Sequence, residues 1–141
     1  MKITIVNGPN LNLLGKREPE VYGNETFETF LINLIKIFPD VQFQYFQSNI
    51  EGELVNAIQE YGFTTDGIIL NPAGYTHTSV AIGDAVAAIP AAVVEVHISN
   101  IFAREEFRKH SHVSAKCDGV ISGLGLKGYE LAVRYLIDSL K

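Results

Sequence analysis

Two side chains that could transfer a proton lie five positions apart in a long polar segment near the start of the chain, Arg17 and Tyr22. A free phenol has a pKa of about 10, so ionising one at neutral pH costs about 4 kcal/mol. A guanidinium close to the phenol can lower that pKa by about 1 to 3, which removes most of the cost. The pair therefore predicts a tyrosinate base, although a surface tyrosine beside a solvated arginine explains the same spacing equally well.

A carboxylate and an imidazole form a second pair, Glu95 and His97, within an apolar segment that has the composition of a β-strand. Residues two apart in a strand point to the same face, so these side chains can orient one another. A charged Glu inside an apolar strand is unfavourable unless it is paired. The pattern predicts a His–Glu couple for proton transfer at the end of the strand, and a structural ion pair is the alternative.

Short segments rich in β-branched residues alternate with segments of helical periodicity along the 141 residues. This alternation predicts βαβ units and a parallel sheet with helices on both faces. Five strands favour an α/β, flavodoxin-like doubly wound sheet with strand order 2-1-3-4-5, in one domain of residues 1–141. Thr26 is expected to cap the first helix, and Ser48 with Glu51 has the spacing of a capping box for the second. The predicted strands are 3–6, 41–46, 67–70, 92–96 and 119–121, and the predicted helices are 26–38, 51–61, 77–89, 105–109 and 127–140.

Polar residues stand at the ends of the first, third and fourth predicted strands, in segments 7–10, 71–75 and 95–100. Ligands of doubly wound sheets bind beyond the carboxyl ends of the strands, so these segments are expected to converge on one crevice. Asn71 is commonly only a turn residue, but its position at this crevice makes it a candidate for binding.

His77 and Asp84 are seven residues apart in the third predicted helix and are expected to share one helical face. The simpler interpretation is a residue at the helix start and a solvated carboxylate. Further along, Arg104, Arg108 and Lys109 form a basic group that would suit an anionic or hydroxyl-rich ligand in a net acidic protein, although most such clusters are solvated faces.

The connection between the first strand and the first helix, residues 7–23, is far longer than the usual 2 to 6 or so residues. Long connections tend to be lids or binding loops. Residues 11–23 are therefore predicted to form a lid whose closure would bring Arg17 and Tyr22 over the site.

Composition excludes several classes of partner. The net charge of −5 and the isoelectric point near 5.3 disfavour nucleic acid and anionic membranes, which both require a basic face. The one cysteine, Cys117, permits no internal disulfide and suits a reducing compartment. Without an apolar run that resembles a signal peptide or a membrane span, the chain is predicted to be soluble and cytoplasmic.

Two motifs suggest cofactors only weakly. The G-x-G-x-x-G pattern of dinucleotide-binding proteins occurs after a strand at Gly123, Gly125 and Gly128. Such proteins bind the ribose with an acidic residue about 20 positions further on, but the sequence has only 13 residues after Gly128. A tight strand-to-helix turn is therefore the favoured interpretation. His110 and His112 have alternate spacing without an obvious third and fourth metal ligand. No metal and no cofactor are predicted, and Cys117 is expected to be a small packing residue.

Taken together, the motifs resemble type II 3-dehydroquinate dehydratase, the small class of dehydroquinase. The resemblance runs from Lys2 to Leu140 and is carried by several motifs in the same order along the chain. These are NGPNLNLLG at 7–15, REPEVYG at 17–23, QSN at 47–49, NPAGYTH at 71–77, EVHISN at 95–100, AREEFR at 103–108 and GLG at 123–125.

The resemblance implies a carbon–oxygen lyase of the shikimate pathway, which serves aromatic amino acid biosynthesis. It would remove water from 3-dehydroquinate by anti elimination through an enolate, giving 3-dehydroshikimate without metal, cofactor or Schiff base. Tyr22 would be the base, held as tyrosinate by Arg17, and His97 the general acid, oriented by Glu95. Asn10 would position the water or hydrogen bond that stabilises the enolate. The substrate would be bound by Asn71, His77, Arg108 and the backbone amides of Ile98 and Ser99.

The resemblance also implies a homododecamer of four trimers, in which Asp84 would reach a neighbouring site. A non-catalytic flavodoxin-like module that binds a small molecule or a flavin is the alternative. It is disfavoured because Asn7 and Asn71 stand where a phospho-receiver needs acids, and because segment 8–12 lacks the hydroxyls of a flavin phosphate loop.

Overall fold

Five strands form one parallel sheet in the computed structural model, which describes residues 1–16, 20 and 24–140. The spatial order of the strands is 2-1-3-4-5, and the predicted flavodoxin-like fold is confirmed. Each strand lies within two residues of its predicted bounds. The strands are β1 (Lys2–Asn7), β2 (Gln42–Gln47), β3 (Gly67–Asn71), β4 (Ala92–His97) and β5 (Gly119–Ser122).

Alternate residues of the central strands face two separate apolar cores, one on each side of the sheet. The first core joins the sheet to the helices α1 (Phe27–Ile37) and α4 (Lys127–Ser139). The second joins it to α2 (Glu51–Gly62) and α3 (Val80–Ala87). Because both faces are covered, the inner strands are apolar almost throughout, as expected for a parallel sheet. None of these helices, which lie in the described part of the chain, has the length and apolar character needed to cross a membrane.

The first two helices begin differently. At α1, the Thr26 hydroxyl accepts a hydrogen bond from the Thr29 amide at 3.2 Å, as predicted. The predicted capping box of α2 is wrong, because the helix is preceded by Ile50, whose side chain cannot accept a hydrogen bond. Ser48 lies two residues earlier, where its hydroxyl accepts from the Ile50 amide at 3.0 Å and donates to the Glu53 carboxylate.

The predicted helix at 77–89 consists of two separate elements. A short 3-10 helix covers Ala73–His77, and α3 begins only at Val80 because the Ser79 hydroxyl caps it, accepting from the Ile82 amide at 2.9 Å. The expectation that His77 and Asp84 share a helical face is therefore wrong. The predicted helix at 105–109 is likewise only a 3-10 turn, Glu106–Lys109.

Gly83 in α3 lets the helix approach the segment that follows the 3-10 turn Glu106–Lys109. A Cβ atom at Gly83 would lie 2.2 Å from the His112 carbonyl oxygen, far inside contact distance. The exposed Gly52 of α2, by contrast, has nothing within 4 Å of such an atom.

We expect Gly83→Ala to lower the free energy of unfolding by about 1–3 kcal/mol, because the helix and the backbone at His112 must move apart. Gly52→Ala is the matched control and should raise it by about 0.5–1 kcal/mol, since alanine loses less backbone entropy on folding. Urea unfolding followed by circular dichroism measures both. An unchanged midpoint for Gly83→Ala would contradict the close packing of α3.

Candidate active site

A cleft opens at the carboxyl ends of β1, β3 and β4, where the polar strand ends were predicted to converge. It encloses about 770 Å³ of empty space, part of it open to solvent. The topology explains its place, since β1 and β3 are neighbours whose connections run to opposite sides of the sheet. Seven of the predicted site residues line it: Asn10, Asn71, His77, His97, Ile98, Ser99 and Arg108.

The remaining predicted residues stand elsewhere. Glu95 is fully buried behind His97 and acts on the cleft only through that ring. Asp84 lies on the exposed side of α3 and is absent from the described lining of its own cleft. Arg17 and Tyr22 lie outside the described residues.

The Glu95–His97 pair sits at the end of β4 on the face covered by α2 and α3. His97 is 5% exposed, and its Nε2–H donates a hydrogen bond to Glu95 Oε2. With Nε2 committed to the carboxylate, Nδ1 is the ring nitrogen that can exchange a proton with a ligand in the cleft. The pair thus has the geometry of an acid–base group with an orienting carboxylate.

Two hydroxyls complete the surroundings of the Glu95 carboxylate. Thr76 Oγ1 donates to Oε2 at 2.7 Å, and Ser114 Oγ donates to Oε1 at 2.7 Å. Burial favours the neutral acid and would raise the pKa of Glu95, but the hydrogen bond and charge of His97, then the bonds from Ser114 and Thr76, bring it below its usual range. Glu95 is therefore an anion at neutral pH.

His77 faces the same cleft from the end of its 3-10 helix. Its Nδ1–H donates to the His110 carbonyl at 2.7 Å, and the Phe107 ring packs edge-on against it with centroids 5.8 Å apart. Burial lowers the pKa of His77 more than the His110 carbonyl raises it, and the positive charges of His97 and Arg108 lower it further. The ring is thus neutral near pH 7, with Nε2 free to accept a hydrogen bond from a ligand.

The basic group divides when placed on the fold. Arg104 and Arg108 both line the cleft, whereas Lys109 pairs with Glu106 at 3.0 Å on the outside. Glu105 holds the two arginines together, with its carboxylate 3.1 Å from Arg108 Nε and 3.8 Å from Arg104 Nε. The cleft is therefore locally positive in a net acidic chain, which suits an anionic ligand.

Asn71 is held by a buried chain of hydrogen bonds that spans three elements. Its Oδ1 accepts from the Ala73 amide at 3.0 Å, in the turn geometry expected of Asn, and its Nδ2 donates to the Tyr129 hydroxyl at 2.9 Å. Tyr129 is fully buried and donates in turn to Asn7 Oδ1 at 2.8 Å. One Nδ2 hydrogen of Asn71 thus remains for a ligand, in a fixed direction.

The glycine-rich turn supports the end of β4. The Gly123 amide donates to the His97 carbonyl at 3.1 Å, and the Gly125 amide donates to the Ile98 carbonyl at 3.0 Å. In a trans peptide the N–H points away from the C=O, so these bonds fix the directions of the Ile98 and Ser99 amides. The Gly123 and Gly125 amides, which a dinucleotide-binding loop would direct at a pyrophosphate, are hydrogen-bonded to backbone carbonyls of the protein instead. This agrees with the tight-turn interpretation of the glycine pattern.

The first part of the long connection after β1 has regular structure, although no element was expected there. A 3-10 helix covers Leu11–Leu13, and Leu14 is buried in the core while also lining the cleft. A Cβ atom at Gly15 would lie 2.8 Å from the Asn24 carbonyl oxygen. Residues 15 and 24 therefore lie close together, directly after Leu14 of the cleft lining.

Other chemistry-bearing groups add no site. Among the described residues, no cluster of three or more His, Cys, Asp or Glu side chains is placed to hold a metal ion. Burial, followed by the charges of Glu95 and Asp118, raises the pKa of the Cys117 thiol to about 12, so the thiol is a poor nucleophile.

Sequence reasoning named Arg104 only as a member of the basic group, and it missed the two hydroxyls on Glu95. The signal for the hydroxyls was only indirect, because a buried carboxylate requires donors. Thr76 and Ser114 lie 19 residues to either side of Glu95, so no local spacing identifies them.

Comparison with known proteins agrees with this geometry. The model of the family described as "Dehydroquinase class II" matches residues 1–137. The 3-dehydroquinate dehydratase of Fusobacterium nucleatum is 55% identical, over 98% of this chain and 97% of that protein. The type II dehydroquinase of Propionibacterium acnes superposes with a TM-score of 0.92 at 42% identity, covering 97% of this chain and 96% of the other. That of Butyrivibrio crossotus gives 0.90 at 48% identity, covering 97% of each chain. This chain therefore belongs to the class II dehydroquinases.

Proposed function

We propose that the protein catalyses the anti elimination of water from 3-dehydroquinate to 3-dehydroshikimate, as a hydro-lyase of the shikimate pathway in aromatic amino acid biosynthesis. The proposal rests above all on the buried Glu95–His97 pair, which opens into a cleft lined by amide and guanidinium donors. The relatives of this chain in Fusobacterium nucleatum and Bacillus pumilus, which are 55% and 50% identical to it, are both named 3-dehydroquinate dehydratase.

His97 is the general acid of the proposed reaction. When its ring is doubly protonated, the Nδ1 proton passes to the departing hydroxyl, which leaves as water. The anionic Glu95 stabilises the imidazolium through Nε2 and holds the ring at the cleft wall. After transfer the ring is neutral, with its remaining proton still on Nε2.

Tyr22 is the base, and Arg17 favours its ionised form. The phenolate takes a proton from the carbon beside the ketone, and the electron pair of that C–H bond moves into the enolate. Collapse of the enolate then forms the carbon–carbon double bond as the hydroxyl leaves. The closeness of Gly15 to Asn24 supports this assignment, because the residues that flank segment 16–23, which carries both side chains, lie together directly after Leu14 of the cleft lining.

The other lining residues bind the substrate and its charge. The amides of Ile98 and Ser99 suit the carboxylate, with the arginines supplying positive charge nearby. The free Asn71 hydrogen, the neutral His77 Nε2 and the Arg108 guanidinium suit the hydroxyls. Asn10, exposed on a left-handed turn with φ 71° after β1, positions the group that stabilises the enolate oxygen.

We also propose the assembly that the family resemblance implies, a cytoplasmic homododecamer with Asp84 directed at a neighbouring site. Asp84 is exposed on its own chain, and several large apolar side chains are more than half exposed, among them Val80 one helical turn before it. Light scattering of the purified protein tests this, and a monomeric mass would contradict it. The apolar side chains are Ile32, Ile50, Phe63, Val80, Phe102, Phe107 and Leu124.

Addition of 3-dehydroquinate to the purified protein is expected to produce the ultraviolet absorbance of a conjugated enone. The rate should be unaffected by chelators and by borohydride treatment in the presence of substrate, because neither a metal nor a Schiff base takes part. Inactivation by borohydride would indicate a lysine imine, and no absorbance change at all would refute the proposed activity.

A further inference from the structure

We propose that Thr76 and Ser114 are positioning residues for the elimination, whose hydroxyls hold Glu95 as an oriented hydrogen-bond acceptor and thereby keep His97 in the form that delivers a proton from Nδ1. This inference rests on the proposed function. It adds residues that touch neither the cleft nor the reacting atoms, since both are absent from the described lining.

Every strong donor to the carboxylate can be assigned. Oε2 accepts from His97 Nε2 and from Thr76 Oγ1, and Oε1 accepts from Ser114 Oγ at 2.7 Å. A carboxylate without solvent exposure needs such donors to remain charged. In the described residues no buried polar side-chain atom lacks a partner, so the arrangement is fully satisfied.

The direction of each hydrogen bond follows from the number of hydrogens. Thr76 has one hydroxyl hydrogen and gives it to Glu95, so the 2.6 Å contact with Ser111 Oγ must be donated by Ser111. Ser111 Oγ in turn accepts from the amides of Val113 and Ser114 at 3.0 and 2.9 Å. The chain of hydrogens runs one way, from Ser111 through Thr76 to Glu95.

This direction fixes the tautomer of the imidazole. Because Glu95 can only accept, His97 must carry a hydrogen on Nε2, and Nδ1 is the atom that gains and loses the catalytic proton. The two segments that supply the hydroxyls are tied together, since the His112 amide donates to the Thr76 carbonyl at 2.8 Å. The donors are therefore placed before substrate arrives.

Other titratable groups act on the same pair and bear on any pH profile. The Cys117 thiol lies 4.0 Å from Glu95 Oε1 on the side of β5, and its raised pKa keeps it neutral. His77 interacts electrostatically with both members of the pair, and Arg108 acts on His77. Conservative variants that leave these three groups unchanged separate their influence from that of the hydroxyls.

The test compares Thr76→Val and Ser114→Ala with Thr76→Ser and Ser114→Thr in the whole protein. Each loss of a hydroxyl should lower kcat about tenfold and leave KM unchanged, because it loosens the carboxylate that orients the acid and leaves the substrate contacts intact. The basic limb of the kcat profile should move to higher pH, because the hydroxyl dipole no longer offsets part of the Glu95 charge that stabilises the imidazolium. The two conservative variants should restore most of the rate and the position of the limb.

Wild-type kcat and an unmoved limb in Thr76→Val would overturn the inference, as would a Thr76→Ser variant as slow as Thr76→Val. A second measurement needs no substrate and leaves the pair intact: nitrogen NMR of histidine-labelled protein, with the signals of the other three histidines assigned by their loss in His77→Asn, His110→Asn and His112→Asn. When the His97 ring is neutral its proton is expected on Nε2, and a neutral ring protonated on Nδ1 would overturn the inference. If 3-dehydroquinate is not turned over, the proposed function fails, while the NMR result still decides the arrangement.

Discussion

Exchange of His97 for asparagine is expected to lower kcat for 3-dehydroquinate by about a hundred- to ten-thousandfold, the range for loss of a general acid. An amide has no proton of suitable acidity, so the hydroxyl would have to leave unprotonated. The substitution also removes the imidazole hydrogen bond to the buried Glu95. Initial rates of enone formation measure the loss, and substrate calorimetry shows whether binding survives.

His112→Asn is the matched control, because it makes the same chemical change at an exposed histidine outside the described lining of the cleft. Its rate should equal that of the unaltered protein. If His97→Asn kept a rate within a few-fold of wild type, the acid would have to be another group, and His77 would be the next candidate in the cleft.

Removal of the Tyr22 hydroxyl by exchange for phenylalanine is expected to abolish detectable turnover while substrate binding stays largely intact. Phenylalanine preserves the ring but has no oxygen to take the proton beside the ketone, and water in a closed cleft is a far weaker base than phenolate. Enone formation and calorimetry separate the two effects.

Tyr135→Phe is the control, since this tyrosine is 48% exposed on α4. The companion variant Arg17→Met should slow the reaction and move the acid limb of the profile to higher pH, because the phenol then ionises less readily. Near wild-type turnover in Tyr22→Phe would refute the assignment of the base, and an unmoved limb in Arg17→Met would refute the role of the guanidinium.

Much of the sheet could be predicted because its signals are local. Each strand is a short apolar run, and the alternation with helical segments leaves few possible topologies for five strands. The convergence of Asn10, Asn71 and His97 follows from that topology alone, since parallel strands bring their carboxyl ends to one edge.

The errors have equally physical reasons. The helix expected at 77–89 is two elements because Ser79 caps α3 better than the preceding residues could. The spacing of apolar residues, on which the prediction relied, carries no information about capping. The capping box at Ser48 failed because its hydroxyl serves the turn before α2. Both errors concern hydroxyl groups, whose hydrogen-bond partners are chosen by tertiary structure.

The donors to Glu95 lay beyond sequence reasoning for a different reason. A buried carboxylate implies that hydrogen-bond donors surround it, but a chain with several Ser and Thr residues offers many possible pairs of donors. Only the folded arrangement of the 3-10 helix at Ala73–His77 and the turn at Ser111 brings one combination together.

The hydrogen bonds of Tyr129 have a consequence for synthesis. Asn7 and Asn71 belong to the first and third strands, but the phenol that orients both belongs to α4, which follows all five strands in the chain. The first and third strands can thus leave the ribosome before α4 has been made, while these two amides still lack their partner. The pocket acquires its final shape only when α4 has emerged and docked, so the enzyme is not competent until translation has passed that helix.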